Sequence, residues 1–378
     1  MTDKDLNILN ITFNFEIEGA IQSIESYGSG HIHETYRLKN RNPDMNDYIL
    51  QKINTHIFGN VPKLMGNIEY VTEHLRRKLR KIQGANPEKE VLTLVATNSG
   101  NSFYKHPDGS YWRMYIFLKG TRSYDLVSTE QQALEGGRAY GRFQALLADL
   151  DTTPLFEILP DFHNLDYRIN LLNEAIENDP CNRLNEVNEE IEFVKARIVR
   201  MKTVLNMGQA GQLPLKTTHN DTKFNNVLLD QNDKAQCVID LDTVMPGYVA
   251  YDFGDAIRTI VNTAAEDEKD LDKIGVNMQL FEAFARGFLQ EAVDDLTPDE
   301  IESLAYGSLL LPYMIGVRFL TDYLDGDNYF KIHFPGHNLQ RARAQFQLTK
   351  KLEEQFPRMQ TIIKQIVSTQ KTKSELSR

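Results

Sequence analysis

The stretch Thr218-His219-Asn220-Asp221-Thr222-Lys223-Phe224-Asn225-Asn226 constrains the fold of this 378-residue chain more than any other. Val227-Leu228-Leu229 and Cys237-Val238-Ile239 follow it as apolar runs around a polar turn, Asp230 to Lys234, the pattern of a β-hairpin. Asn226 precedes the first strand, and Asp240, fourteen positions later, follows the second. A hairpin brings those two ends together, with Asp221 a turn earlier beside them. Oxygen donors converging on one point suit a hard cation such as Mg²⁺, which takes one or two carboxylates together with substrate phosphates and waters. Asn226 and Asp240 fit that need, which leaves Asp221 free to accept a proton from a hydroxyl. A polar surface loop before an edge hairpin is the plainer alternative, and the completeness of the spacing argues against it. His219 on its own reads as a hydrogen-bonded structural histidine.

The texture of the chain changes near residue 120. Before it, Ile21 to Glu25, Thr35 to Leu38 and Tyr48 to Ile53 read as a strand meander, with a glycine-bearing turn after the first. Leu64, Ile68, Val71, Leu75 and Leu79 recur at helical spacing, and the basic run Arg76 to Lys81 suits the end of that helix. Val91 to Thr97, Ser102 to Lys105 and Tyr111 to Leu118 read as further strands, the last two joined by a turn at Pro107-Asp108-Gly109. Helical patterns dominate afterwards: 129–148, a stripe from Leu184 to Leu205, and 281–294, 299–325 and 339–366. The stripe suits a packed helix better than a coiled-coil contact, for which three heptads are marginal. The expectation is an α+β chain of two lobes, a small β-rich one over 1–118 and a larger helical one over 119–378.

Charge and composition narrow the function. Lys and Arg number 42 against 53 Asp and Glu, a net charge of −11, which argues against binding nucleic acid by phosphate neutralisation. Cys181 and Cys237 are too few and too far apart for a disulfide framework or a zinc site. The first residues lack the basic flank and apolar core of a signal peptide. The longest apolar run, Leu309 to Val317, is too short for a membrane span and contains Pro312. A cytoplasmic protein with no membrane or nucleic-acid partner is expected, a monomer being favoured.

The loop His219-x-Asp221-x-x-x-x-Asn226, the strand end Ile239-Asp240-Leu241-Asp242 and the segment Tyr251-Asp252-Phe253-Gly254-Asp255 resemble the aminoglycoside phosphotransferase and choline kinase superfamily. Within it, Thr218 to Lys223, Val238 to Pro246 and Arg318 to Leu324 are most similar to the N-acetylhexosamine kinases. The resemblance implies a bilobal protein-kinase-like fold and transfer of the γ-phosphate of ATP, with Mg²⁺, to a sugar, at the anomeric hydroxyl of N-acetylglucosamine or N-acetylgalactosamine. It makes Asp221 the catalytic base and assigns the metal to Asn226 and Asp240. Asp242 is left between a second metal and a substrate hydroxyl. Asp252 and Asp255 either hold the loop or cap a helix, and Arg258 pairs with one of them.

At the nucleotide end, Gly28 and Gly30 lie in the turn after the first strand, where glycines let backbone N–H groups approach phosphates. His31, just after them, is a sugar-contact candidate by the same resemblance. The phosphate-binding lysine expected on the third strand falls on Gln51. Lys52 is adjacent and faces the other side of a regular strand, so either a bulge turns Lys52 inward or Gln51 contacts phosphate without a charge. Glu69 or Glu73 is the candidate carboxylate partner. Phe117 and Leu118 occupy the hinge at which the family binds adenine. At the acceptor end, Arg318 and Tyr329 are sugar-contact candidates, with simple Arg318–Asp322 pairing on the helix surface as the alternative. Two other readings remain: a kinase of an aminoglycoside, choline or related amino alcohol, and a non-catalytic pseudokinase, which the absent lysine motivates.

Overall fold

The computed structural model describes residues 3–28 and 32–376. Nine strands and twelve α-helices are present among them. The first lobe is built on β1 (Ile21–Ser26), β2 (Glu34–Asn40), β3 (Tyr48–Ile53), β4 (Tyr104–Lys105) and β5 (Tyr111–Ile116), an antiparallel sheet in the order β1-β2-β3-β5-β4. Alternation along the strands gives it two faces. Tyr36, Leu38, Tyr48, Leu50, Trp112 and Met114 point outward and are covered by Ile8 and Ile11 of α1 (Asp3–Thr12). Ile53 and Tyr115 point the other way, into a second cluster with α2 (Val61–Leu79). The segment Val91 to Thr97 does not form the expected strand. It runs beside β5 through an isolated bridge at Leu94–Tyr115 and a bond from the Val95 N–H to Met114, after the short α3 (Pro87–Glu90).

The helical lobe contains α4 (Glu130–Leu147), α5 (Leu165–Asn178), α6 (Asn188–Lys195), α7 (Ile198–Met201), α8 (Thr203–Gln209), α9 (Val249–Ile260), α10 (Met278–Ala292), α11 (Pro298–Leu324) and α12 (His337–Leu376). The expected single helix over 184–205 is broken into short pieces. Its stripe nonetheless faces inward: Val187, Ile191, Val194, Met201 and Val204 all lie in the lobe's core, which leaves no seam for a coiled coil. Helix α11 is long and apolar enough to cross a membrane by length and composition, but 78% of its most apolar window is buried inside this core. Close crossings rather than bulky side chains set two helix pairs. A Cβ on Gly254 of α9 would come within 2.2 Å of the Gly307 carbonyl oxygen on α11, and one on Gly137 of α4 within 2.1 Å of the Phe284 carbonyl on α10.

Two two-stranded ribbons lie between the lobes. β6 (Lys216–Thr218) pairs with β9 (Met245–Gly247), and β7 (Val227–Leu229) pairs with β8 (Ala235–Val238). The cluster formed by α2 also takes in Phe143 and Leu147 of α4 and Leu241 and Val244 beside the ribbons, so one apolar core spans the junction. Asn67, buried on α2, pins the lobes further by donating to the Phe156 and Val244 carbonyls at 2.8 and 2.9 Å. The fold is the bilobal, protein-kinase-like α+β arrangement expected.

Candidate active site

The loop after β6 is fixed by bonds that the sequence motif alone does not reveal. Asn220 adopts a left-handed backbone (φ +64°), and its side-chain amide donates to the Thr218 and Thr243 carbonyls. The Asp252 carboxylate, from the first turn of α9, accepts the His219 and Asn220 N–H groups at 2.8 and 2.7 Å. Gln144 donates to it as well, at 2.7 Å. Burial is the main force on Asp252 and pushes its carboxyl up to about 6, against these donors. His219 bridges the loop to the hairpin end. Its Nε2 donates to the Ile239 carbonyl at 2.8 Å, and its Nδ1 accepts the Asp221 N–H at 3.3 Å. His219 is therefore structural, as its sequence context suggested. Asp255, by contrast, is directed to Arg258, which bonds it at 2.9 Å and also reaches Glu266; no bond joins it to the loop.

Asp221, Asn226 and Asp240 are brought together as the hairpin predicts. Asn226 ends a 3₁₀ turn (Phe224–Asn226), and its Nδ2 donates to the Asp221 carbonyl at 2.9 Å and to Asp221 Oδ2 at 3.3 Å. The pairing of Val227 with Val238, and the bond from the Ile239 N–H to the Asn226 carbonyl, set Asp240 beside it. Asp240 has a left-handed backbone (φ +60°). Loss of hydration within the cleft and the charges of Asp242 and Asp221 push its carboxyl up to about 7. Burial would raise Asp221 likewise, but Lys223 at 2.9 Å, assisted by His219, holds it below the ordinary range. Asp221 is thus an ionised carboxylate beside a lysine, able to orient a hydroxyl and take its proton.

Among the described residues no cluster of three or more His, Cys, Asp or Glu forms a complete metal cage. The donors present do fit an ion shared with phosphates: one carboxylate, Asp240, short of a counter-charge, and the Oδ1 of Asn226, whose amide nitrogen is already committed.

Asp242 is placed differently from expectation. It is 2% exposed, and both of its oxygens are taken by protein. Arg113 grips it with two guanidinium nitrogens, Nη2 lying 2.7 Å from Oδ2, and His33 bonds Oδ2 at 2.6 Å while accepting the Asn54 N–H on its other nitrogen. The Arg113 guanidinium outweighs burial and holds Asp242 well below the usual carboxylate range. Neither a second metal nor a substrate hydroxyl finds a free oxygen there.

The same network answers the question at the third strand. Gln51 faces the cleft, opposite Arg113 in register, and accepts its Nε–H at 2.9 Å. Lys52 sits on the other face with Glu34 at 3.4 Å, with no bulge to turn it inward. The cation beside Gln51 is Arg113 of β5, and its carboxylate partner is Asp242, while Glu69 and Glu73 are both exposed on α2. Sequence reasoning missed Arg113 because nothing around it marks a motif; only strand register exposes it.

At the hinge, Phe117 donates its N–H to the Asp47 carbonyl at 2.8 Å, and its ring takes the Arg37 guanidinium at 4.0 Å and the edge of Tyr27 at 5.6 Å. Leu118 packs on the junction cluster. Gly28 has the positive φ (+82°) expected of a tight turn, while Gly30 and His31 lie outside the described residues. Arg318 and Tyr329 meet at 3.4 Å. Asp322 does not pair with Arg318. It accepts the Tyr329 and Phe330 N–H groups at 2.7 and 2.9 Å and so shapes the loop that presents Tyr329. A cavity of about 620 Å³ lies elsewhere, lined by Leu75, Leu79, Arg142 and Cys237, and holds none of the catalytic-loop residues.

Residues 23–291, most of the chain, match the model of the phosphotransferase enzyme family that includes the aminoglycoside phosphotransferases. The chain belongs to that family. It is a phosphotransferase whose acceptor is a hydroxyl group. Solved structures similar to it include an amicoumacin kinase in complex with AMP-PNP, Ca²⁺ and its antibiotic (TM-score 0.59, 14% identity, 93% of this chain and 94% of that one). An aminoglycoside phosphotransferase from Alicyclobacillus acidocaldarius is similar at TM-score 0.61 and 14% identity, over 95% and 96% of the two chains. A choline kinase from Cryptosporidium parvum is similar at 0.59 and 14%, over 95% and 98%. At these identities the likeness is one of fold.

Proposed function

We propose that this phosphotransferase moves the γ-phosphate of ATP to a sugar hydroxyl, and that the acceptor is the anomeric hydroxyl of an N-acetylhexosamine. The observation that carries the reading is the convergence of Asp221, Asn226 and Asp240, with Asn226 bonded to the carboxylate of Asp221 and lying beside Asp240. Asn226 and Asp240 would hold Mg²⁺, which neutralises charge on the phosphates. Asp221 accepts the hydrogen of the acceptor hydroxyl and aims its oxygen at phosphorus. Lys223, on the far side of that carboxylate, keeps Asp221 ionised until the transfer. Arg113 secures the floor of the site by locking Asp242, which keeps the Leu241–Thr243 turn in place behind Asp240. Positioning and fixed charge supply most of the rate in such a transfer.

Similar structures named for AMP-PNP and Ca²⁺, and for ADP, support nucleotide and divalent-ion use, and Mg²⁺ is the ion that this donor set suits. The choice of sugar is supported by the stretches Thr218 to Lys223, Val238 to Pro246 and Arg318 to Leu324, and by the meeting of Arg318 with Tyr329. The test is a panel of hexoses, N-acetylhexosamines, choline and aminoglycosides with ATP and Mg²⁺, read by phosphorus NMR. A phosphate on the anomeric carbon of an N-acetylhexosamine is expected. Transfer to choline or an aminoglycoside with none to any sugar would place the chain with the amino-alcohol kinases, as the names of several similar structures allow.

A further inference from the structure

Two arginines from different helices meet at Phe162, one at its carbonyl and the other at its ring. Arg168, in the first turns of α5, donates from Nε and Nη2 to the Phe162 carbonyl at 3.3 and 2.9 Å. The Arg318 guanidinium, on α11, lies 5.2 Å from the centre of the Phe162 ring, 5.4 Å from Phe330 and 5.7 Å from Tyr329. Both side chains are half-buried. Half-buried Arg37 and Arg183 are matched by the carboxylates of Asp47 and Asp327, while half-buried Arg341 is met by the Lys331 carbonyl and the Asn338 amide oxygen. Arg168 and Arg318 have no carboxylate within ion-pair distance among the described residues. The acids around them are engaged elsewhere. Asp161 accepts from Asn164 at 2.6 Å, Asp221 is bonded to Lys223, and Asp322 is occupied by the backbone of its own loop.

Leaving two cations partly out of water and uncompensated is costly, and folds avoid it unless something supplies the counter-charge. The cost is visible in the groups themselves: burial, and then repulsion from Arg318, lower Arg168 to about 10. The patch also lies against the catalytic loop. His163, next to Phe162, bonds the carbonyl of Asn220 at 3.0 Å, one residue before Asp221. In a chain of net charge −11 this is a local reversal of sign on the acceptor side of the site.

We propose that Arg168 and Arg318 form an anion subsite, and that the acceptor is a sugar carrying a negative group, a carboxylate or a phosphate monoester, on a carbon away from the hydroxyl that reacts. The inference rests on the sugar-kinase reading and narrows it from neutral to acidic sugars. Guanidinium groups present paired donors that match the oxygens of either anion. The Phe162 and Phe330 rings give the apolar face of a pyranose a surface beside them. Cationic acceptors such as choline are disfavoured by the same two charges.

The experiment uses the full-length protein with ATP and Mg²⁺ and compares an N-acetylhexosamine, its carboxylate-bearing counterpart, a hexose 6-phosphate and choline. Calorimetric binding of each acceptor is measured in parallel. One acidic sugar is expected to exceed its neutral counterpart in kcat/KM and in affinity by about ten-fold or more. Whether the carboxylate or the phosphate arm responds identifies the anion. Arg168→Gln is expected to raise KM for the acidic acceptor far more than it lowers kcat, with Arg168→Lys restoring part of the loss. Equal use of neutral and acidic sugars, or a preference for choline, overturns the subsite. An Arg168→Gln effect of the same size on every acceptor overturns it too. If no acceptor is phosphorylated, the sugar-kinase reading fails and the binding arm decides the subsite separately: Arg168-dependent binding of an acidic sugar supports it, and no such binding overturns it.

Discussion

The two walls of the cleft are held in different ways. On the helical side, the loop from His219 to Asn226 is fixed by residues of its own lobe: Asp252 of α9 with Gln144 of α4 behind it, His163, Thr243 and the loop's own side chains. On the sheet side, the charge that faces the cleft has its carboxylate partner in the other lobe. Arg113 reaches Asp242 across the lobe boundary, with Gln51 and His33 filling the remaining directions. The helical wall can therefore hold its shape within one lobe, whereas the sheet wall depends on the two lobes being together. Chemistry that must be aimed, the proton acceptor, sits on the first. Charge that orders the lobes sits on the second.

That contrast gives a ranked set of outcomes. Asp221→Asn removes the proton acceptor and, with it, the ion pair to Lys223, so the variant should fold with a slightly lowered melting temperature and lose turnover by about a hundred-fold or more in a coupled ADP-release assay. Near-unchanged turnover would remove Asp221 from the reaction. Arg113→Met should act on both lobes at once. It strands Asp242 in the interior, and denaturant titration should show a loss of about 3–5 kcal/mol, together with weakened activity. Asp242→Asn in the same background should recover part of that loss, because the buried charge goes with it; no recovery would mean that the pair is not coupled. Gly254→Ala, which drives α9 away from Gly307, should lower kcat through the displaced Asp252 carboxylate more than it raises KM for ATP.

The smallest effect is in pH. Asp252 and Asp240 have folded-state carboxyls raised to about 6 and about 7, above the unfolded value of 3.8, so the folded form binds more protons than the unfolded one over that range. Their contribution is full below about pH 4 and is lost as pH rises through 6 and 7. Asp221 and Asp242 are lowered and act in the opposite sense, their stabilisation being lost only as acid takes pH below the ordinary carboxylate range. Thermal melts of the protein without nucleotide should therefore decline between pH 4 and 7, and Asp240→Asn should flatten that decline.

How much was legible in the sequence follows from the same contrast. The hairpin with Asn226 and Asp240 at its ends, helices α2, α4, α10 and α11, and the first three strands were readable because their signals are local: periodicity, turn residues and caps such as Thr129 and Thr297. The segment 91–97 carries the β-branched residues of a strand yet pairs only through isolated bonds, since its neighbour β5 decides how much of it is used. The stripe over 184–205 has the apolar period of one helix but breaks into a 3₁₀ turn and three short α-helices, following the surface of the core it covers. Arg113, Arg168 and the pairing of Asp242 were invisible for one physical reason. Each depends on a contact more than a hundred residues away or on strand register, and residue type at a single position carries neither.

The most direct test of the division of labour at the site is calorimetric titration of ATP, with and without Mg²⁺, into the unaltered protein, Asp221→Asn and Asp240→Asn. Binding that needs Mg²⁺ and Asp240 but survives the loss of Asp221 is the expected result. ATP affinity indifferent to both Mg²⁺ and Asp240→Asn would contradict the assignment of that carboxylate, and with it the reading of the loop and hairpin as one phosphoryl-transfer site.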